Sequence, residues 1–524
     1  YQDLYNEVES IANHLLHLGV KKGDKVAILS ANMPNWGITQ FAIANIGAIA
    51  VPVLPGFCST ELQNILEHAE VKVIFVSRLL AKCLEGVKTP FLEHKILINN
   101  FSTIPEGCYQ PEELDKLVPD ISLNNTTPLP EVSIEEEDIA SIIYTSGTTG
   151  FSKGVVLTHK NLVWDARQCH TIQPVDETYR FLSILPMAHT YENTLGLLLP
   201  LMFGAQVYYL DRVPTPKLLV PAMQKIRPTV VLSVPLIIEK IYKSQVLPKF
   251  TSSKLMSKLY QFAPARKLFN RLAGKKLMET FGGELKFFGI GGSKLDGTVE
   301  QFLREAKFPY AIGYGLTETA PMAAGSNPSQ TFLQGVGPVM EGVQIKINDP
   351  DKSGQGEIWI KGPNVMKGYY KRPELTAETF TEDGWFKTGD LGSFDKKNRL
   401  AIRGRIKTMI LGASGENIYP EEIESIINNF RFVNESLVVE NSGKLVAMVH
   451  FNMEELEKQY QKLKDQAGNY KEKINDYIEE QKQELRDYVN ARVNNFSKLQ
   501  LVLVQHEPFE KTPTHKIKRF LYCK

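Results

Sequence analysis

Between Tyr144 and Lys153 the chain carries a run of hydroxyl side chains and glycines, which are residue types that bind phosphate. After the apolar stretch 142–144 come Thr145, Ser146, Gly147, Thr148, Thr149, Gly150, Phe151 and Ser152. Glycines let backbone N–H groups approach phosphate oxygens, hydroxyls add donors or a metal ligand, and Lys153 supplies positive charge. The order differs from GxxxxGK[ST], because Gly154 follows the lysine. On composition alone, a Gly/Thr-rich hairpin turn is an equally good interpretation.

The loop resembles the phosphate loop of the adenylate-forming superfamily, which includes acyl-CoA synthetases, the adenylation domains of peptide synthetases and beetle luciferases. Four further segments resemble motifs of that superfamily in its own order: GYGLTET at 313–319, DGWFKTGD at 383–390, RGRIK at 403–407 and KTPTHKIKR at 511–519. Each segment alone is a moderate to weak signal. Because all five stand in register across most of the chain, coincidence is a poor explanation.

The resemblance implies an ATP site that also holds Mg2+. Tyr314 would stack on the adenine, Thr317 would hydrogen-bond a phosphate, and Glu318 with Thr145 would bind Mg2+, which takes carboxylates plus substrate phosphates. Asp390 would accept hydrogen bonds from both ribose hydroxyls. Taken singly, Glu318 is more typical of a surface carboxylate and Asp390 of an Asx turn. The implied ATP- and AMP-binding residues are Thr145, Ser146, Gly147, Thr148, Thr149, Gly150, Lys153, Gly313, Tyr314, Gly315, Thr317, Asp390, Arg405 and Lys516.

Lys516 matches the catalytic lysine of the superfamily, although many members have glycine where His515 stands here. Without the resemblance it is one of several exposed C-terminal lysines. Arg405 suits ribose or phosphate oxygens, because a planar guanidinium matches oxyanions. Lys407 stands at the hinge position, and the loop 411–420 resembles the segment that builds the CoA tunnel. The implied catalytic residues are Lys516, Lys153, Thr317 and Glu318, and the CoA-side residues are Lys407, Gly412, Gly415 and Glu416.

The stretch 185–192 resembles the Pro-x-x-His segment of fatty acyl-CoA synthetases, which lacks the acidic residue of amino-acid-activating members. His189 would wall the acyl pocket, although alone it is more typical of a core histidine. Ile238 stands where some long-chain enzymes place a gating tryptophan, so that gate is in doubt, while its neighbours stay apolar as a hydrocarbon tail requires. Gly289, Gly291 and Gly292 would form another wall, where small residues leave room for substrate.

The resemblance implies a long-chain fatty acid–CoA ligase that uses ATP, CoA and Mg2+. The carboxylate would attack the α-phosphate, with Mg2+ and Lys516 stabilising the charge and Lys153 holding the pyrophosphate. Rotation about Lys407 would then admit CoA. The chain lacks the insertion that fatty acyl-AMP ligases carry before Asp383, which favours the full reaction. An acyl-AMP ligase without CoA transfer, a luciferase-like oxidoreductase and a non-catalytic nucleotide-binding protein are the alternatives.

The elements that must position these residues indicate an α/β fold. Apolar runs such as 25–29 and 71–76 alternate with helical patterns, which predicts parallel sheets in a large N-terminal domain, residues 1–406. From about Gly335 short strands and turns predict a β-rich subdomain. Residues 407–524 are predicted to form a small, mobile α+β domain. Its stretch 454–495 predicts a solvated amphipathic helix pair, with a partner-binding helix as the alternative.

Composition excludes several classes of protein. The 524 residues carry a formal net charge of +1, so no global field attracts nucleic acid, although local basic patches stay open. The five cysteines lack a CxxC pair, which fits a reducing, cytoplasmic compartment. Two apolar stretches, 36–60 and 194–210, contain prolines and glycines and are interpreted as buried core rather than membrane spans. The first residue is Tyr1, so a leader could precede it. Chain-length preference, oligomeric state and peripheral contact with the inner face of a membrane stay open.

Overall fold

The computed structural model describes residues 1–57, 59–120, 128–145, 152–251, 253–411, 417–441, 443–463, 470–512 and 516–523. The helices are α1 (Gln2–His17), α2 (Pro34–Asn45), α3 (Ser59–His68), α4 (Pro111–Leu114), α5 (His159–Ile172), α6 (Thr190–Glu192), α7 (Leu199–Met202), α8 (Pro216–Ile226), α9 (Pro235–Ile241), α10 (Leu247–Thr251), α11 (Lys254–Gln261), α12 (Ala263–Thr280), α13 (Gly297–Glu305), α14 (Pro373–Thr379), α15 (Pro420–Asn428), α16 (Met453–Leu463) and α17 (Tyr470–Asn490).

The strands are β1 (Lys25–Leu29), β2 (Ile49–Val53), β3 (Val71–Val76), β4 (His94–Leu97), β5 (Ser102–Thr103), β6 (Ile139–Thr145), β7 (Lys153–Thr158), β8 (Arg180–Ser183), β9 (Gln206–Tyr209), β10 (Val230–Ser233), β11 (Phe287–Ile290), β12 (Tyr310–Gly315), β13 (Met322–Gly325), β14 (Gln344–Asn348), β15 (Gly356–Lys361), β16 (Gly368–Tyr369), β17 (Phe386–Phe394), β18 (Leu400–Arg405), β19 (Ile410–Leu411), β20 (Asn417–Ile418), β21 (Val433–Asn441), β22 (Lys444–Phe451) and β23 (Leu501–Val504).

An eight-stranded sheet, in the order β16-β7-β6-β2-β1-β3-β4-β5, carries the predicted phosphate loop between β6 and β7. β1 lies between β2 and β3 and pairs with both in parallel. All three are nearly continuous apolar runs, as strands buried on both faces are. The apolar stretch 36–60 contains the buried helix α2 followed by β2, which confirms its interpretation as core.

A six-stranded sheet, in the order β13-β12-β11-β10-β8-β9, carries the predicted adenine segment and the glycines of the predicted acyl wall. Strands β9, β8, β10, β11 and β12 are parallel, so their carboxyl ends meet at the same edge, where ligands bind in open α/β sheets. β11 ends at Ile290, directly before Gly291 and Gly292. β12 ends at Gly315, directly before a 3₁₀ turn at Thr317–Thr319.

The α/β fold class is confirmed, and the chain divides into two compact units. Unit 1 comprises Tyr1–Lys346, Trp359–Lys387 and Asp395–Leu400, and unit 2 comprises Ile347–Ile358, Thr388–Phe394 and Ala401–Lys524. In unit 2 the sheet β21-β22-β23 packs against α15, α16 and α17, whose inward side chains include Leu456 and Leu485. The predicted amphipathic helix pair is therefore confirmed. A hinge at Lys407 stays a prediction.

Among the described residues, no helix combines the length and the apolarity that crossing a membrane would require.

Candidate active site

The predicted phosphate loop connects two antiparallel strands of the eight-stranded sheet. Thr145, the last residue of β6, pairs with Lys153, the first residue of β7, so both stand at the mouth of a hairpin. A Cβ on Gly154 would lie 2.9 Å from a methyl group of Ile142 and 3.2 Å from the ring of Tyr144, which explains the glycine after the lysine. The antiparallel pairing fits the hairpin interpretation, and the phosphate-binding role of the loop stays a prediction. Residues 146–151 lie outside the described residues.

Lys153 and Glu318 both contact Tyr369. The hydroxyl of Tyr369 donates a hydrogen bond of 2.9 Å to Oε1 of Glu318. The Nζ of Lys153 lies 5.0 Å from the centre of the Tyr369 ring, within the range of a cation–π contact. Tyr369 belongs to β16, where it pairs with Val155 of β7, and Val155 is on the same strand face as Lys153. A buried tyrosine thus joins the predicted phosphate lysine to the predicted metal carboxylate.

Hydrogen bonds to backbone groups fix the turn that carries Thr317 and Glu318. The carbonyl of Glu318 accepts from the N–H of Met366, at 2.9 Å. Thr319 accepts from the N–H of Leu316 at 2.9 Å and donates to the carbonyl of Pro321 at 2.7 Å. Thr194, which is fully buried, donates to the carbonyl of Ala320 at 3.0 Å. Hydrogen bonds within the protein therefore hold the turn at both of its ends.

Packing inside unit 1 constrains the two glycines of the predicted adenine segment to different degrees. A Cβ on Gly315 would lie 1.7 Å from the carbonyl oxygen of Pro321, and a Cβ on Gly313 would lie 2.9 Å from the side chain of Met322. At Gly315 the backbone approaches too closely for a larger residue, whereas at Gly313 only the flexible end of the Met322 side chain would have to move. Tyr314 stands between these glycines and is largely buried.

The predicted acyl wall lies against a tyrosine that the sequence analysis did not single out. A Cβ on Gly289 would meet the Tyr191 hydroxyl at 2.8 Å and Phe287 at 2.8 Å, and a Cβ on Gly291 would meet the Tyr191 ring at 3.3 Å. Tyr191 is half-buried as a whole residue, and the burial of its hydroxyl raises the pKa of that group. Its backbone N–H donates to Nδ1 of His189 at 3.2 Å, so that nitrogen carries no proton.

A narrow apolar pocket of about 50 Å³ lies beside this wall. Ordinary ligand pockets hold roughly 300–1,000 Å³, so side chains must move before a long hydrocarbon chain fits. Gly289 and Gly313 line the pocket. Ile238 and Gly292 do not: Ile238 is buried in α9, and Gly292 lies just after β11 with φ of +85°. The rest of the lining is Cys169, Ile172, Gln173, Val175, Phe181, Leu195, Leu199, Val230, Leu232, Phe287, Ala311, Ile312, Met322 and Ser326.

A buried carboxyl group lies next to Tyr191. Burial raises the pKa of Glu192 to about 8, and a hydrogen bond with Ser183 lowers it by less. Its Oε2 has no hydrogen-bond partner within the described part of the chain. The Glu192 side chain therefore stays protonated at neutral pH.

In unit 2 the predicted ribose carboxylate is paired with the predicted arginine. Nε of Arg405 lies 2.9 Å from Oδ1 of Asp390, which is buried, while about half of the arginine side chain is exposed. The N–H of Asp390 donates to the hydroxyl of Thr388 at 3.0 Å, and Gly389 has φ of +71°, which favours glycine. The two residues are thus brought together on β17 and β18.

Lys516 and Lys407 also lie in unit 2, and both are exposed. The Lys516 carbonyl accepts from the N–H of Thr512 at 2.8 Å, and its own N–H donates to the Thr512 hydroxyl at 3.2 Å. Lys407 occupies a 3₁₀ turn, and its neighbour Thr408 donates to Glu421 at 2.6 Å. The predicted CoA-side residues Gly412, Gly415 and Glu416 lie outside the described residues.

Comparison with protein families identifies the chain. Residues 1–370 match the family described as AMP-binding enzyme. The chain belongs to this family. The resemblance drawn from the five sequence segments is therefore confirmed.

Relatives of this AMP-binding enzyme match it over most of its length. Fatty acyl-CoA synthetase A of Dictyostelium discoideum is 26% identical and covers 99% of this chain and 83% of its own. The long-chain-fatty-acid–CoA ligase heimdall of Drosophila melanogaster is 30% identical over 82% of this chain and 67% of its own. ATP-bound MatB from Rhodopseudomonas palustris superposes with a TM-score of 0.75 and 22% identity, covering 100% of this chain and 92% of that chain, which shows the shared fold.

Two residues of the candidate site were missed in the sequence, although both lie in segments that the sequence analysis used. Tyr369 belongs to the stretch 361–370, which served only to look for an insertion. Tyr191 follows His189 by two positions in the Pro-x-x-His segment. An aromatic residue in an apolar stretch gives no local signal of function, because it is equally typical of a core.

Proposed function

We propose that this AMP-binding enzyme is a long-chain fatty acid–CoA ligase. It activates the acid as an acyl-AMP, releasing pyrophosphate, and then transfers the acyl group to CoA, releasing AMP. The observation that carries the proposal is the arrangement of Lys153, Tyr369 and Glu318 beside the hairpin mouth at Thr145. The names of the relatives supply the substrate class.

Lys153 and Glu318 suit a triphosphate with a divalent cation. Glu318 and Thr145 offer hard oxygen ligands of the kind that Mg2+ prefers, and the hydrogen bond from Tyr369 uses Oε1 of Glu318 alone. β7, which begins with Lys153, lies next to the turn 317–319. Bound Mg2+ would neutralise phosphate charge. Lys153 would hold the leaving pyrophosphate, and the ring of Tyr369 orients its ammonium group.

The remaining nucleotide roles belong to residues whose assignment rests on the family resemblance. Asp390 would hold the ribose hydroxyls, with Arg405 orienting its carboxylate through the ion pair. Lys516 would stabilise the charge that develops on the α-phosphate. Lys407 would be the hinge between residues 1–406 and 407–524. The substitution Lys407→Pro should then impair one half-reaction more than the other.

The acyl end of the site would lie along Gly289, Gly291 and Tyr191. Apolar side chains line the pocket there, which suits a hydrocarbon tail. Tyr191 and Phe287 occupy the space next to Gly289, so these two side chains would have to turn when a long acid binds. His189 accepts a hydrogen bond from the Tyr191 backbone and so fixes the start of this wall.

The test measures AMP and pyrophosphate release with ATP, Mg2+ and fatty acids of increasing length, each with and without CoA. The proposal predicts turnover that requires a long acid and continues only when CoA is present. Accumulation of acyl-AMP that CoA does not discharge would instead identify an acyl-AMP ligase. ATP turnover that ignores the acid would refute the proposal.

A further inference from the structure

Helix α12 is fixed to unit 1 by one face. Its buried positions Asn270, Gly274 and Leu277 recur at helical spacing. A Cβ on Gly274 would lie 2.6 Å from the Cβ of Ala306, just after α13, so the two helices are in close contact. Arg266 makes a salt bridge of 2.9 Å with Glu305 of α13 on the same side. The opposite side of α12 therefore faces solvent.

That outward side carries leucines where a surface helix ordinarily carries polar residues. Leu268 precedes Asn270 by two residues and Leu272 precedes Gly274 by two, which on an α-helix places each leucine about 200° away from the buried position. They are 57% and 62% exposed. One helical turn apart, they form a stripe of which more than half is exposed among the described residues. Such a stripe is the apolar face of an amphipathic helix without a covering partner.

The preceding helix also carries exposed leucines. Leu255 and Leu259 of α11 are also one turn apart and are 69% and 41% exposed. Phe262, between the two helices, is 62% exposed. Tyr260 points inward instead and donates a hydrogen bond of 2.8 Å to Asn270, which fixes α11 against α12. Five exposed large apolar side chains therefore stand on two consecutive helices and on the residue between them, and we name the exposed sides of these helices the α11–α12 surface.

The α11–α12 surface lies in a segment of the chain whose charged residues are all basic. Between Glu239 and Glu279 the sequence has ten lysines and arginines and no aspartate or glutamate, although the whole chain has a net charge of only +1. Lys267, Arg271, Lys275 and Lys276 flank the leucine stripe of α12, and all four are exposed. None of these four makes a salt bridge among the described residues.

We propose that the α11–α12 surface docks on an anionic phospholipid bilayer. Leucines and a phenylalanine flanked by lysine and arginine are the composition of helices that lie in the plane of a membrane interface, with apolar side chains among the acyl chains and basic ones at the phosphates. A nucleic acid would match the charge but not the central apolar stripe. The inference does not depend on the ligase activity, but the bilayer is a reservoir of the proposed substrate class.

The experiment is co-sedimentation of the full chain with vesicles, in the absence of ATP, acid and CoA. Vesicles of phosphatidylcholine alone are compared with vesicles of phosphatidylcholine and phosphatidylglycerol, at low and at high salt. Wild type should bind the anionic vesicles at low salt, and high salt should weaken binding because it screens the lysines. Leu268→Ser with Leu272→Ser, and separately Lys267→Glu with Arg271→Glu, should each lower affinity by about tenfold or more.

Matched controls lie elsewhere on unit 1. Leu79→Ser changes another exposed leucine, and Lys396→Glu with Lys397→Glu reverses two other exposed charges; both should bind like wild type. As a second readout, the substitution Leu272→Trp adds a fluorescent side chain to the surface, and brominated lipid in the vesicles should quench the added fluorescence. Failure of wild type to bind anionic vesicles, or equal loss in the control variants, would overturn the proposal. A wild-type dimer that the leucine double variant converts to a monomer, without vesicle binding in either, would also overturn it in favour of self-association. Because no substrate is present, failure here is distinct from failure of the proposed ligase activity.

Discussion

The polar and the apolar parts of the candidate site in unit 1 are prepared for a ligand in different ways. On the polar side, Glu318 and Lys153 are held apart and oriented by one tyrosine, and hydrogen bonds fix the turn beneath them. On the apolar side, Tyr191 and Phe287 fill the space next to Gly289, and the pocket measures about 50 Å³. Phosphate chemistry needs preorganised charge, whereas an apolar pocket can be opened by rotating side chains. The polar side should therefore control rate, and the apolar side should control which acid is used.

The largest effect is expected for the catalytic charge assigned to unit 2. Lys516→Ala should lower adenylation by roughly 10²–10³, the scale for one electrostatic donor. Thioester formation from supplied acyl-AMP should change far less. Pyrophosphate exchange and the second half-reaction are measured separately, with Lys518→Ala as the control. Near-normal pyrophosphate exchange in Lys516→Ala would remove this residue from the mechanism.

A smaller effect is expected at the tyrosine that joins the polar groups. Tyr369→Phe keeps the ring beneath Lys153 but removes the hydrogen bond to Glu318, so adenylation should fall by about tenfold, the worth of a hydrogen bond to a charged group. The Mg2+ concentration for half-maximal rate should rise as well, because the carboxylate loses its orientation. Tyr370→Phe is the matched control. If both variants respond to Mg2+ like wild type, Tyr369 has a packing role alone.

On the apolar side, Gly289→Ala should change substrate preference rather than rate. The added methyl group would approach the Tyr191 hydroxyl and Phe287 to 2.8 Å, so the KM for long acids should rise severalfold while the KM for ATP stays unchanged. Adding Tyr191→Phe removes one of the two clashes and should restore part of the loss. An equal rise in the KM for long acids and in the KM for ATP would contradict the distinction between the polar and the apolar side.

The smallest effect concerns the protonated carboxyl beside Tyr191. The folded chain keeps Glu192 protonated up to about pH 8, whereas an unfolded chain releases this proton near its ordinary value of 4.5. The protonated carboxyl therefore contributes its full stability below pH 4.5, the pKa in the unfolded chain, and this contribution is lost as the pH rises toward 8. Glu192→Gln cannot lose a proton, so its Tm relative to wild type should increase by a few degrees between pH 5 and pH 8. Parallel Tm curves would show that Glu192 is already ionised in the fold.

Sequence patterns revealed more of the polar side than of the apolar side. Glycines, hydroxyls and charges at fixed spacing mark Thr145, Lys153 and Glu318, and buried apolar runs mark the strands that bring them together. The role of Tyr369 depends on β16 pairing with β7, a contact between segments more than two hundred residues apart that no local pattern encodes. The occupation of the wall at Gly289 by Tyr191 is likewise a matter of packing. The exposure of Leu268 and Leu272 also depends on how α12 packs against α13, which the local sequence does not encode.

The most direct test of the proposed chemistry follows one oxygen atom. A long-chain acid labelled with ¹⁸O in both carboxyl oxygens is turned over with ATP, Mg2+ and CoA, and the AMP is analysed by mass spectrometry. If the carboxylate attacks the α-phosphate and the CoA thiol then displaces AMP at the acyl carbon, each AMP carries one ¹⁸O and each acyl-CoA retains one. Unlabelled AMP would contradict the account, because the acyl–phosphate bond would never have formed.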